Sequence, residues 1–389
     1  MEFDKIIDRF GTDCAKWDLM EEIYGVPADG GLAMWVADTD FRAPQVVLDK
    51  MQALVDHGIF GYVRPEEYLS SICWWMKTRH NWTVDPGWIF TTTGLINAVG
   101  LCLDTFSEPG DGVILFTPVY HVFAKNIRAA GRQVVECPMV NSNGRYEMDF
   151  DAYDAQMTGT ERMVILCSPH NPGGCVWSRD ELQKLGDFIK RHDLILISDE
   201  IHHDLVFPGH THLPMTQADR SVVDRTIMLT APSKTFNVAG LHSGNVIIED
   251  DDLRERFAAR MGALGVAGNT FGQFAASAAY SPEGAAWVDQ LMPYLDNNRK
   301  MFDAAIAKIP GLESMPLQST FLAWVDFSGT GMTTREFTER VEQVAKIAVN
   351  HGGPFGTGGE MFLRFNFGTQ KSRVADACER LQSAFGDLQ

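Results

Sequence analysis

No uninterrupted apolar run in this 389-residue sequence reaches membrane-spanning length, so no transmembrane helix is expected. The start, Met1-Glu2-Phe3-Asp4-Lys5, lacks a basic stretch followed by an apolar one, and no secretory signal is expected. Seven cysteines form no C-x-x-C pair, and their number is odd. That disfavours a disulfide framework or a zinc ribbon and fits reduced, mostly buried thiols in the cytosol. Positive charge is scarce: 33 Lys and Arg stand against 51 Asp and Glu, a formal net charge of -18. Such a surface repels phosphodiester backbones and anionic membranes, so neither nucleic acid nor membrane is an expected partner. Internal repeats and low-complexity tracts are also missing, which excludes a solenoid.

What remains is an ordinary globular composition, 45% hydrophobic and 22% charged. A chain of this length buries about three-quarters of its unfolded surface and divides into about two domains. Short runs rich in Val, Ile, Leu and Phe, at Gly112–Phe116, Met163–Cys167, Leu194–Ser198, Thr226–Thr230 and Asn245–Ile248, read as strands. Helical patterns lie between them, such as Ser178–Arg191, where Ser178 and Glu181 fit a capping box. This alternation implies an α/β fold with a mostly parallel sheet. The last hundred residues differ. A long helix over Ala285–Lys308 stops before Pro310. Phe321–Phe327 and Met361–Phe367 read as strands, with helices at Thr334–Ala345 and Arg373–Phe385. The expected division is a large domain over 45–285 and a smaller α+β domain from 1–44 and 286–389.

Ligands of open α/β sheets collect beyond the carboxyl ends of the strands. Three consecutive runs end in polar cargo there: Asn171 in Ser168–Gly174, Asp199 before Glu200 and His202, and Lys234 in Ala231–Asn237. A carbonyl cofactor needs a lysine amine, a pyridine nitrogen needs a carboxylate, and a phenolate oxygen needs donors such as Asn171 and His202. A phosphate needs the open N–H groups of a helix start, and Thr91–Ala98, following Trp88-Ile89-Phe90, has that form.

With these residues in place, the chain resembles the fold-type I pyridoxal 5′-phosphate (PLP) enzymes of the class I/II aminotransferase superfamily over nearly its whole length. Within it, the chain is most similar to the cystathionine β-lyase-like carbon–sulfur lyases. Met34–Phe41, Ile59–Tyr62, Thr117–Tyr120, Ala278–Tyr280, Trp287, Tyr294-Leu295, Phe355-Gly356 and Arg364–Asn366 carry that resemblance by their order and spacing. The resemblance implies a PLP-binding large domain, with Lys234 as attachment point and shuttle of the substrate Cα proton. It implies that Asp199 pairs with the pyridine nitrogen, that Asn171 and His202 flank O3′, and that Tyr120 stacks on the ring. Gly94, Leu95 and Ser233 would hold the phosphate, joined by Tyr62 of a neighbouring subunit, which makes the active unit a homodimer. On that basis Tyr62 ranks with Lys234 among the catalytic residues. Arg364 would grip the substrate carboxylate, and Trp35, Ala37 and Asp38 would line the substrate pocket.

Three departures stand out. Gly173-Gly174 replaces a common Thr-Gly, with little effect expected. His242 stands eight positions after the lysine, where many aminotransferases carry a phosphate-binding Arg. His203 takes the place of a small residue, for no reason evident in the sequence. The local run His202, His203, His210 and His212 lacks H-E-x-x-H spacing, and no metal is expected. The implied activity is β-elimination of a thiol from an L-amino acid such as cystathionine, giving pyruvate and ammonia. Transamination shares the step of Cα proton removal and is the alternative, which the His242 departure and Met34–Phe41 disfavour. A PLP-binding regulatory protein with little turnover is the third reading. The sequence leaves the substrate's side chain, and any assembly beyond the dimer, unspecified.

Overall fold

The apolar runs become a seven-stranded sheet in the computed structural model, which describes residues 2–388. Its strands are β1 (Ile89–Thr92), β2 (Gly112–Thr117), β3 (Gln133–Pro138), β4 (Glu161–Cys167), β5 (Ile195–Asp199), β6 (Thr226–Thr230) and β7 (Gly244–Ile247). They lie in the order β1-β7-β6-β5-β4-β2-β3. All neighbours pair in parallel except β7, which is antiparallel to both β6 and β1. Every residue of β2 and β6 is buried. Alternate residues feed opposite faces: Val113, Leu115, Met163 and Ile165 enter one apolar cluster, and Ile114, Phe116, Val164 and Leu166 the other. Burial on both faces is why these strands read as continuous apolar runs instead of alternating ones.

The helices follow their caps. At Arg179–Arg191 the capping box forms, Ser178 Oγ accepting from the Glu181 N–H at 3.3 Å and Glu181 accepting from the Ser178 N–H at 2.8 Å. The long helix spans Pro282–Ile306, starting three residues before the expected Ala285. The reason is local: Ser281 Oγ accepts from the Gly284 N–H at 3.1 Å, and Pro282 occupies the first helical position, where its missing donor costs nothing.

A second sheet is antiparallel throughout: β8 (Glu313–Ser314), β9 (Leu322–Asp326), β10 (Asn350–His351) and β11 (Phe362–Asn366), in the order β8-β9-β11-β10. The helix expected over Thr334–Ala345 is α-helical only to Glu339 and continues as a π-helical turn, Arg340–Val344. The N-terminal segment joins this layer. Leu32–Ala33 pairs in parallel with Ile347–Ala348, and the Asn366 N–H donates to Met34 O at 2.8 Å. No helix among the described residues is long and apolar enough to cross a membrane.

Candidate active site

Parallel pairing sets Cys167 beside Asp199 and Asp199 beside Leu229, so β4, β5 and β6 end at one edge of the sheet. Asp199 ends β5 at that edge, and the turns after β4 and β6 carry Asn171 and Lys234 to it, as the sequence implied. The segment 35–41 crosses over it. Lys234 Nζ donates to Ala37 O at 2.8 Å. Asn237, one turn further on, clasps the same segment, donating to Thr39 O at 2.9 Å and Phe41 O at 2.8 Å and accepting from the Thr39 N–H at 3.1 Å. From the other sheet, Arg364 on β11 reaches in, donating to Asn171 Oδ1 at 3.1 Å, to Trp35 O at 2.9 Å and to Asn350 Oδ1. Asn171 Oδ1 is engaged, and its Nδ2 has no acceptor among the described residues.

The electrostatics are those of a site built for a charged ligand. Burial pushes the Lys234 amine down to about 8, with Arg364 adding to the effect and Asp38 and Asp199 opposing it. Burial pushes Asp199 up to about 7. Its carboxylate accepts one hydrogen bond among the described residues, from the Ile201 N–H at 3.1 Å. Burial likewise pushes Arg364 down to about 10. Arg364 is 2% exposed and its Nε has no partner, yet no carboxylate among the described residues lies within ion-pair distance. A buried guanidinium without a counter-ion is costly unless a ligand supplies one. His202 is buried beside Phe321 with Nδ1 unpartnered, and burial, then Lys234 and Arg364, holds its pKa well below the ordinary value, so the ring is neutral. Burial raises the pKa of Tyr120, which feels both Arg364 and Asp199.

The helix Leu95–Phe106 starts where expected, after Gly94 at φ 95, and no side chain caps it. Its first N–H groups are therefore left without a side-chain acceptor, the form of helix start that can take an anion. His242 lies beside this turn, its Nδ1 3.9 Å from where a Cβ on Gly94 would be. Ser233 is partly buried next to Lys234. Gly173 departs from the common Thr for a visible reason: a Cβ there would come within 2.6 Å of Tyr146. The Trp35 and Asp38 side chains turn to the N-terminal segment. The Trp35 indole donates to Lys16 O at 2.8 Å, and Asp38 pairs with Arg9 at 2.7 Å and Lys16 at 3.5 Å.

Tyr62 is not brought to this site within the chain. It is 110% exposed and lines a surface cleft with Lys50, Leu54 and Phe274. Three residues at the site escaped sequence reasoning. Asn350 holds Arg364, and Tyr24 faces it and accepts from Asn350 Nδ2 at 3.3 Å. His121, half-buried with Nδ1 unpartnered, lies against Tyr120 and Phe355 and feels Arg364. His121 and Tyr120 line a cavity of about 250 Å³ with Thr117, Glu136 and Phe355. Tyr24 and Asn350 lie far from the strand ends in sequence and follow no motif; only His121, next to Tyr120, had a neighbour to mark it.

Residues 36–381 match the family described as aminotransferase class I and II, and the chain belongs to that family. It is 37% identical to the cystathionine beta-lyase PatB of Bacillus subtilis, over 99% of this chain and 100% of that one. It is 32% identical to the protein MalY of Escherichia coli, over 96% of each. Among solved structures, cystalysin of Treponema denticola, which contains a pyridoxal 5′-phosphate cofactor, superimposes with a TM-score of 0.94 at 35% identity, over 100% of this chain and 99% of that one.

Proposed function

We propose that this chain is a PLP-dependent carbon–sulfur β-lyase acting on thioether L-amino acids of the cystathionine type. The observation that carries the reading is the convergence of Lys234, Asp199 and Arg364 at one edge of the sheet, each held from its ordinary ionisation by burial and none in an ion pair among the described residues. The donor set fits PLP. The unpaired Asp199 suits a pyridine nitrogen, the free Nδ2 of Asn171 and the neutral His202 suit a phenolate oxygen, and the uncapped helix start suits a phosphate. PLP, when bound, supplies a carbonyl that captures amines and a protonated ring that takes up the electron pair released at Cα.

This chain's own groups do the rest. At neutral pH a useful fraction of the Lys234 amine is unprotonated, as amine capture and Cα proton removal both require. Asp199, ionised opposite a ring nitrogen, holds a proton there. Arg364 binds the substrate carboxylate through Nε and the remaining Nη1 N–H, with Asn350 and Trp35 fixing its plane. The Trp35–Asp38 backbone closes over the lysine. A thioether with a hydrogen at Cα and sulfur on Cβ then loses both; with one water consumed, the products are a thiol, pyruvate and ammonia.

Tyr62, with Ile59 69% and Phe60 56% exposed beside it, suits a segment that docks on a second copy, where Tyr62 would meet the partner's phosphate site. We accordingly read the active unit as a homodimer in the cytoplasm, the setting that seven unpaired cysteines favour. We also retain the division into 45–285 as the cofactor domain and 1–44 with 286–389 as the smaller one. The test is direct. The holoenzyme incubated with cystathionine should release pyruvate and thiol, and Lys234→Ala should abolish both along with the cofactor's visible absorption. Keto-acid-dependent amino transfer without elimination would overturn the lyase assignment in favour of transamination.

A further inference from the structure

One polar cluster takes no part in the chemistry above. His80, the last residue of the helix Glu66–His80, meets His203 and Asp204 from the loop after β5, beneath the turn that carries Lys234. His203 and Asp204 are 3% and 8% exposed, and the His80 side chain 6%. The ligand-bearing atoms of the three residues lie within 4.8 Å of one another. His80 Nε2 is 2.9 Å from Asp204 Oδ1, and His203 Nε2 is 3.1 Å from Asp204 Oδ2. The second approach has no hydrogen-bond geometry, so His203 Nε2 is a buried nitrogen without a hydrogen-bond partner.

We propose that His80, His203 and Asp204 form a binding site for a divalent zinc ion. Two imidazole nitrogens and a carboxylate are a three-ligand zinc set that leaves a fourth position for water. Zinc–ligand bonds of ~2.0–2.2 Å in tetrahedral geometry put donor atoms ~3.4 Å apart, so the widest separation here needs to close by ~1.4 Å. Imidazole donors select zinc over magnesium or calcium, which take oxygen ligands. Asp204 supplies an anionic ligand that offsets part of the dication's charge. A second layer orients the carboxylate: the Trp75 indole donates to Asp204 Oδ1 at 3.0 Å, and Thr235 Oγ1 to Oδ2 at 2.9 Å. Thr235 follows Lys234 directly, so the ion braces the lysine turn from behind.

The site also gives His203 a purpose. A small residue at that position would leave two ligands, too few for stable zinc. The run His202, His203, His210 and His212 carries no metal-site spacing by itself. Of these, His202 faces the active site and His210 is exposed. The third ligand group, His80, lies more than a hundred residues away in the chain.

The holoenzyme, expressed with supplemented zinc and dialysed against a weak chelator, should retain about one zinc per chain by elemental analysis. H203S and H80Q should each lower that occupancy about tenfold or more. Zinc-edge X-ray absorption of the wild-type protein should show two imidazoles and oxygen at ~2.0–2.2 Å, a readout that stands even if a variant fails to fold. Wild-type zinc below about a tenth of an equivalent, unchanged occupancy in folded H203S, or a shell lacking histidine would overturn the proposal.

Discussion

Replacing Arg364 with Gln separates a substrate-binding charge from a structural one. In the substrate-free protein, Arg364 is buried, has no counter-ion and has an unpartnered Nε. The wild-type protein therefore carries a desolvation cost that hydrogen bonds to neutral oxygens and the Phe355 ring offset only in part. Gln removes the charge and keeps an amide donor for Asn171 Oδ1. The expected thermal midpoint without substrate is unchanged or higher. Substrate recognition should collapse: two charge-assisted hydrogen bonds to a carboxylate are worth about 1.5–3 kcal/mol each, or about 3–6 kcal/mol together. At about 1.4 kcal/mol per decade, kcat/KM for cystathionine should fall by about 10²–10⁴-fold. Steady-state pyruvate release measures the first quantity and thermal unfolding the second. Cofactor absorption should be retained. A fall in midpoint of more than about 5 °C in step with activity would make Arg364 a structural residue. A kcat/KM within about threefold of wild type would remove it from substrate binding altogether.

Asp199→Asn should lower turnover by more than about a hundredfold, because the ring nitrogen loses its anionic partner. In the cofactor-free protein the same change has a stability signature. The folded carboxyl titrates near 7, above its ordinary 3.8, so its contribution to stability is present at low pH and lost as pH rises through 7. Cofactor-free Asp199→Asn should thus be more stable than wild type above about pH 7, with the gap closing toward about pH 4; denaturant midpoints across that range decide, and a pH-independent gap contradicts the assignment. Tyr62→Phe should leave the thermal midpoint unchanged, since the hydroxyl touches nothing in its own chain, and weaken cofactor binding by about 10–100-fold, the worth of one bond to a phosphate. Equal cofactor dissociation constants for variant and wild type, at concentrations where both are dimeric by sedimentation, would place Tyr62 outside the phosphate site.

Much of this was legible because the proposed site sits at strand ends. A strand buried on both faces announces itself as an apolar run, and the polar residue that ends the run must be at the sheet edge. That logic located Asn171, Asp199 and Lys234 without any knowledge of distance. It could not locate Asn350 or Tyr24, whose approach to Arg364 depends on how the second sheet and the N-terminal segment fold over the first. Nor could it see that His203 faces His80 rather than its neighbours His202 and His210. Side chains adjacent in a turn point different ways, and the partner comes from a helix end more than a hundred residues earlier. The pairing of Leu32–Ala33 with Ile347–Ala348 was hidden for a similar reason, two residues being too few to show a period.

Two buried aspartates show what distinguishes the active site from the rest of the interior. Asp40 and Asp199 are 2% and 5% exposed, and burial alone raises both. Around Asp40 the chain answers with Lys16 at 3.2 Å, Arg9 at 2.8 Å, Arg373 at 3.4 Å and the Trp17 indole at 3.0 Å, which pull it down to about 2. That carboxylate is complete, and it anchors the segment lying over Lys234. Asp199 receives a single backbone N–H and stays near 7. The chain can neutralise a buried aspartate, and at Asp199 and Arg364 it does not. The missing counter-charges, a cation for Asp199 and an anion for Arg364, are those that a protonated pyridine ring and an amino-acid carboxylate bring. Binding them discharges a cost already present in the fold, so cofactor and substrate should stabilise this protein by more than their contact area alone provides.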